Sequence, residues 1–253
     1  MLDLGEVHSL ADLIEAAHNA EQQFDGQVWF RGHAQQNWML VPSAHRRHPV
    51  LESQFANHFR LRAPSIAKGC PNHLDYGSWL PLMQHYGLPT RLLDWTESLI
   101  VAAFFAVSYK PTKHDAVIWM LAPGKLNEQS IGQMIPFLTH EIISPLVVAA
   151  FSEQKEYKYS IAALAPRTDP RMTAQLGNYT IHGSRDSLEA HSASNRFLAR
   201  ILIPLGSQDK VRADLSVSGI RLSSLFPDLS HLAVELSELR ALGEKGEDLE
   251  TKE

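Results

Sequence analysis

Residues 99–106, LIVAAFFA, place eight apolar side chains in succession. Such a run has no polar stripe at helical or strand spacing, so it must be buried on every side wherever it folds. Its leucines and alanines favour helix, and Thr96 or Ser98 can cap the start, which predicts a buried helix within TESLIVAAFFAVSYK, residues 96–110. DAVIWMLA, residues 115–122, is also almost wholly apolar and is bounded by Asp115 and Pro123-Gly124, as expected of a core strand. A chain of 253 residues, 44% hydrophobic and 20% charged, can bury a substantial core around both segments.

The remaining pattern mixes the two periodicities. HSLADLIEAAHNAEQQF reads as an amphipathic helix opened by a capping box of Ser9 and Asp12. QVWFRG reads as a short strand, LESQFANHFRLRAPSIA as a helix stopped near Pro64, and WLPLMQHYG as a helix closed by Gly87. In SPLVVAAFSEQKEY, Ser144 as N-cap and Pro145 as first residue open a short helix. YSIAALAP, GNYTIHG and RFLARILIP are strand candidates, and GIRLSSLFPDLSHLAVELSEL returns to helix. The order predicts a single α+β domain. A charged, disordered tail is expected over residues 243–253.

No apolar run approaches the ~20 residues that cross a bilayer. The first residues lack a basic n-region, and Cys70 stands alone, so a cytoplasmic chain without disulfides or membrane contact is expected. The formal net charge is −5, with seven acids against three bases from Glu235 onward. Between Arg31 and Lys68 six bases face one acid, Glu52. That strip, with Arg46, Arg47 and Arg60, could face the phosphates of a nucleic acid or simply be a solvated surface. Phosphate-loop, dinucleotide GxGxxG and GxSxG motifs are absent. His45 and His48 have a spacing a metal could use, but without a third ligand no metal is expected.

Two stretches carry candidate chemistry. In WFRGH, Arg31 ends a strand, and Gly32 leaves the backbone open to close approach. Arg31 is placed either to hold a phosphate or carboxylate, or to pair with an acid such as Asp94. In QHYGLPTRLLDWT, residues 84–96, His85 and Tyr86 end one helix, and Asp94-Trp95-Thr96 is expected to begin the next. Asp94 then serves as N-cap and partner of Arg91. Crowding at two tight junctions makes His85, Tyr86, Thr90, Arg91 and Thr96 candidate ligand contacts. His85 and Asp94 could also form the acid–base pair of a phosphoester hydrolase.

FRG at 30–32, QHYGLPTRLLDWT at 84–96, AAFFA at 102–106 and RMTAQLGNYT at 171–180 resemble, in order, the FRG domain family, named for its Phe-Arg-Gly motif. GIRLSSLFPDLSHLA is similar to that family's closing segment. The resemblance implies an FRG domain over residues 1–242, in a family common among bacterial and phage conflict genes. It also extends distantly to mono-ADP-ribosyltransferases, whose core runs from a strand ending in aromatic-Arg-Gly, through a Ser/Thr strand and its helix, to a strand carrying a catalytic glutamate. That implies an ADP-ribosyltransferase-like split β-sheet core with flanking helices, and NAD as substrate.

On this resemblance Arg31, His85 and Gln175 are the catalytic candidates. Gly32, Tyr86, Thr90, Arg91, Trp95 and Thr96 are expected to contact NAD, with Tyr86 or Trp95 stacked on nicotinamide. The sequence departs from the pattern at Gln175, where a glutamate is expected. Cleaving the bond from nicotinamide to ribose builds positive charge on the sugar, as in glycoside hydrolysis, and glutamine supplies no compensating charge. Glu153, Glu156 or Glu189 could stand in for it. The implied activity is ADP-ribosylation of a DNA or RNA base, in a toxin or phage-defence setting. The alternative is a nucleotide or nucleic-acid sensor without turnover.

Overall fold

A computed structural model describes residues 1–46, 50–108, 113–152, 157–166 and 170–237. The chain opens with β1 (Leu2–Glu6), a strand that the sequence pattern did not signal, and helix α1 (Leu10–Phe24). Ser9 caps α1 by accepting the Asp12 N–H at 3.2 Å, and the Asp12 carboxylate accepts the His8 N–H at 3.1 Å. Leu10, Leu13, Ala17, Ala20 and Phe24 form its buried stripe.

Strand β2 (Trp29–His33) follows, then α2 (Val50–Ile66) and α3 (Tyr76–His85). Helix α2 ends at Ile66, near Pro64 as expected, and runs through the proline itself. One lost amide in the last turn does not end it, because Ala67 N–H still reaches the Ala63 carbonyl at 2.9 Å. Helix α3 closes at Gly87 in the left-handed region (φ +80°), where the Gly87 and Leu88 amides satisfy the carbonyls of Gln84 and Met83.

The stretch expected to start a helix at Asp94 is a strand, β3 (Leu92–Thr96). Leu93 and Trp95 fill a core on one face of it and Leu92 a core on the other, an alternation that only a strand provides. Helix α4 (Leu99–Val107) begins afterwards, with Ser98 accepting the Val101 N–H at 3.3 Å. Asp94 therefore caps nothing.

Strand β4 (Ala116–Leu121) is buried throughout and runs into the short α5 (Pro123–Asn127). Helix α6 (Ser144–Ala149) takes Ile143 rather than Ser144 as N-cap. Strand β5 (Ser160–Ala163), helix α7 (Pro170–Ala174), β6 (Gly177–His182) and β7 (Leu198–Ile203) come next. Helix α8 (Gln208–Val217) was not expected, and the single closing helix is broken at Phe226-Pro227 into α9 (Leu222–Leu225) and helical residues 229–237. The tail expected over 243–253 lies outside the described residues.

The chain is α+β. Its strands form one seven-stranded mixed sheet in the order β1-β7-β4-β2-β3-β6-β5, with β1 and β7 parallel and the other neighbours antiparallel. β2 pairs with β4 along its whole length, from Trp29↔Leu121 to His33↔Val117, and β3 pairs likewise with β6. β2 and β3 meet only where Phe30 faces Thr96. The sheet is thus two well-formed halves joined by a narrow seam. The exposed edge of β5 is covered by Asn127, whose side chain accepts the Ala162 N–H at 2.7 Å and donates to its carbonyl at 2.9 Å.

Helix α4, the all-apolar run, lies across one face of the sheet over β2, between the sheet and α8. Arg212 of α8 donates to the Val107 carbonyl at 2.8 Å and so finishes its C-terminus. A Cβ on Gly32 would stand 1.9 Å from the Ala102 carbonyl oxygen and 2.7 Å from the Ala106 nitrogen. The small side chains at 32, 102 and 106 therefore let helix and strand backbones touch. Gly32→Ala is expected to destabilise the protein by about 3 kcal/mol or to prevent folding, since neither backbone can move aside. Chemical denaturation of the variant against the wild type measures this directly.

Candidate functional site

Beyond the Phe30–Thr96 pair, β2 and β3 diverge, and a cavity of about 370 Å³ opens between them. It is of the size that small-molecule sites occupy, ~300–1,000 Å³. Arg31 stands at the divergence with its side chain 21% exposed. Its Nη1 donates to the Asp94 backbone carbonyl at 2.6 Å, replacing the strand partner that this carbonyl lacks, and its Nε donates to His33 Nε2 at 2.9 Å. No hydrogen bond leaves Nη2 toward any described residue. Burial lowers the Arg31 pKa, and the Asp94 charge opposes that shift.

His33, two residues along the strand and on the same face, accepts from Arg31 through Nε2, so its proton sits on Nδ1, which donates to the Trp38 carbonyl at 3.2 Å. Burial, reinforced by the Arg31 charge, pushes its pKa down to about 3. The ring is a neutral prop that orients the arginine without cancelling its charge.

Across the divergence, Asp94 projects from the middle of β3 with its side chain 56% exposed. Its Oδ2 accepts from Gln84 Nε2 at 3.0 Å and lies 3.6 Å from Arg31 Nη1. Gln84 is oriented in turn by Thr90, whose Oγ1 donates to Gln84 Oε1 at 2.5 Å and accepts the Leu92 N–H at 3.2 Å. Thr90, buried at the turn, thus acts through Gln84 rather than on the cavity. Thr96 donates to the Gln175 carbonyl at 2.6 Å and accepts the Ser98 N–H, tying β3 to the wall beyond it.

Gln175 lines the cavity but precedes β6 instead of lying in it, and its side-chain amide donates to the Leu225 carbonyl at 3.0 Å. Arg171 lines the same wall, its guanidinium 4.6 Å above the Phe226 ring. Arg46, exposed, lines the opposite rim near Trp38, which is 44% exposed. Trp95 borders the cavity but is buried, with its indole N–H donating to Thr180 Oγ1 at 3.0 Å. Gly32 borders it too, though what approaches its Cα is α4.

Other candidates lie elsewhere. Arg91 does not pair with Asp94: it is buried against Glu52, with Nη2 2.7 Å from Oε2 and further bonds to the Leu146 and Ala149 carbonyls. His85 and Tyr86 pack edge to face at 5.0 Å outside the cavity lining, and Tyr86 also leans on Phe59. Arg60 stacks over Tyr76 and Phe151 and bonds His73 and Asn57, away from the cavity. Glu189 uses both oxygens on the Leu40 N–H at 3.2 Å. Arg47, His48, Glu153 and Glu156 lie outside the described residues. Among the described residues no three His, Cys, Asp or Glu side chains gather as metal ligands, and no helix is long and apolar enough to cross a membrane.

The sequence reading passed over His33, Gln84, Trp38 and Arg171; it cast Asp94 mainly as a cap, while its alternative of an Arg31–Asp94 pair matches the 3.6 Å contact. His33 was discoverable, because alternation along WFRGH puts it on the face of Arg31.

Residues 26–115, which include β2, β3, α4 and the Arg31–His33–Asp94 group, match the family model of the FRG domain. This segment is an FRG domain. No curated protein and no solved structure matches the chain. The FRG segment supplies one side of the cavity, and α7, Gln175 and β6 supply the other from beyond residue 115.

Glu52→Gln leaves the buried Arg91 charge without its counter-ion and should cost about 3–5 kcal/mol in denaturation free energy. Burial also lowers the pKa of His33 to about 3, that of His45 to about 4, and that of His182 well below its usual value of 6.5. Their folded pKa values lie below the unfolded one, so the unfolded chain binds more protons between them. Stability is therefore full above about pH 6.5 and falls as the pH drops toward about 4 and then about 3, which denaturation midpoints measured at successive pH values should trace.

Proposed function

We propose that the cavity binds NAD+ and that the protein transfers its ADP-ribose to a base of a nucleic acid. The observation that carries this reading is the charge of the lining: three guanidinium groups, Arg31, Arg46 and Arg171, face one carboxylate, Asp94, among the described residues. That excess suits a ligand with two phosphates, and Arg31 keeps Nη2 for it while neutral groups hold the rest of its fork. Trp38 and Met39, both exposed at the rim, offer flat apolar surface to a base, and Arg46 beside them suits its phosphate.

The order of the elements supports the same reading. The resemblance to mono-ADP-ribosyltransferases names an arginine strand, a Ser/Thr strand leading into a helix, and a third strand. Their counterparts here, β2, β3 and β6, are consecutive in the sheet and border one cavity. Such an activity suits a toxin or phage-defence protein. A second reading, a nucleotide sensor without turnover, is favoured by Gln175, which carries no charge and whose amide is engaged with Leu225.

Nicotinamide release from NAD+ by purified protein, with and without single- and double-stranded DNA and RNA, tests the proposal. Release should depend on one nucleic acid and fall about 100-fold or more in Arg31→Lys, because an ammonium cannot hold His33 and the Asp94 carbonyl while also meeting a phosphate. NAD+ bound but never cleaved would favour the sensor. The absence of both binding and release would refute the NAD+ reading.

A further inference from the structure

Cleavage of the nicotinamide–ribose bond needs a negative charge near the sugar, and the position where the resemblance expects it carries Gln175. Resting on the NAD+ reading above, we propose that Asp94 is the catalytic carboxylate of this site. Among the described residues it is the one acid that lines the cavity. Other carboxylates are occupied: Glu52 holds buried Arg91, Glu189 holds the Leu40 amide, and Glu97 accepts from Asn178 Nδ2 at 2.8 Å.

The setting of Asp94 is that of a positioned group rather than a loose surface acid. It projects from mid-strand, where the backbone is held by β6 on one side and by the Arg31 bond to its own carbonyl on the other. Its Oδ2 is held by Gln84, which Thr90 orients. Its Oδ1 has no hydrogen bond to any described residue, and the carboxylate is exposed to the cavity mouth. One oxygen is thus anchored and the other free, close to an arginine suited to a phosphate of the same ligand.

The bond from ribose C1′ to the nicotinamide nitrogen breaks, and its electron pair leaves with nicotinamide, which departs neutral. Positive charge develops on C1′ and the ring oxygen, opposed by the Asp94 carboxylate. A lone pair on the acceptor base, or on water in its absence, forms the new bond to C1′. The proton that the acceptor loses passes to Asp94 and then to solvent. The role of Gln84 and Thr90 is to keep the carboxylate pointed at the sugar, and neither need touch the ligand.

Asp94→Asn retains shape and the contact with Gln84 while removing the charge. The test compares wild type and variant for NAD+ binding by calorimetry, melting temperature, and nicotinamide release with a pool of single-stranded DNA and RNA oligonucleotides present. The expected result is an unchanged melting temperature, NAD+ affinity within about threefold, and release lowered about 100-fold or more. Release within about threefold of wild type would overturn the role of Asp94 and leave the NAD+ reading standing. Loss of NAD+ binding at a normal melting temperature would overturn it in favour of a ligand-holding role. A wild type that neither binds nor cleaves NAD+ would remove both. If Asn unfolds the strand, Asp94→Ser is judged by the same criteria.

Discussion

The close crossing of α4 over Gly32 is the constraint on which the rest of the structure depends. With the Ala102 carbonyl where a Gly32 side chain would be, β2 and α4 are locked backbone to backbone. The chain leaves β3 at Thr96 and has two residues, Glu97 and Ser98, in which to turn back into α4. β3 can therefore stay beside β2 at one pair, Phe30 and Thr96, and must then diverge to follow β6. The cavity is the consequence of that divergence. An all-apolar helix is what allows it, because a helix wedged between sheet and α8 has no face left for polar side chains.

Arg91, buried, and Arg31, half-buried, show two solutions to desolvation. Arg91 is matched by a carboxylate and two carbonyls, so its charge is cancelled locally and contributes to stability rather than to any surface field. Arg31 is held mainly by neutral acceptors, the ring of His33 and the Asp94 carbonyl, with the Asp94 carboxylate no nearer than 3.6 Å. Its geometry is specified while much of its charge is left uncompensated. A positively charged His33 would repel it and lose the Nε2 acceptor, so the depressed pKa of that ring is part of the same device.

How far the sequence was legible follows from how local each signal was. The run 99–106 and the strands QVWFRG, DAVIWMLA and GNYTIHG announce themselves because burial on one or both faces imposes a short-range pattern. β1 was invisible because an edge strand half open to water, with Gly5 and two acids in it, has no such pattern. LDWT was misread because its polar residues suggested capping, whereas its pairing with β6 lies some eighty residues away in the chain. Arg31 was identifiable from its place between aromatics and a glycine, although β2 runs on to His33 and so sets it mid-strand rather than at the strand end. That Arg91 looks inward was not, since its partner Glu52 is set by how α2 docks on the sheet.

The division of the cavity between two parts of the chain bears on specificity. Arg31, His33, Gln84 and Asp94 all fall within the FRG segment, residues 26–115, and they form one hydrogen-bonded series. The facing wall is assembled from later residues, with Arg171 braced on Phe226 and Gln175 braced on Leu225. Chemistry that depends on orientation to fractions of an ångström belongs on the rigid side, where strand, helix and turn each restrain the next group. The braced but sequence-distant wall can change its residues without disturbing that series. On the reading proposed above, the FRG segment would hold the reacting groups, and the later strands and helices would meet what is brought to them.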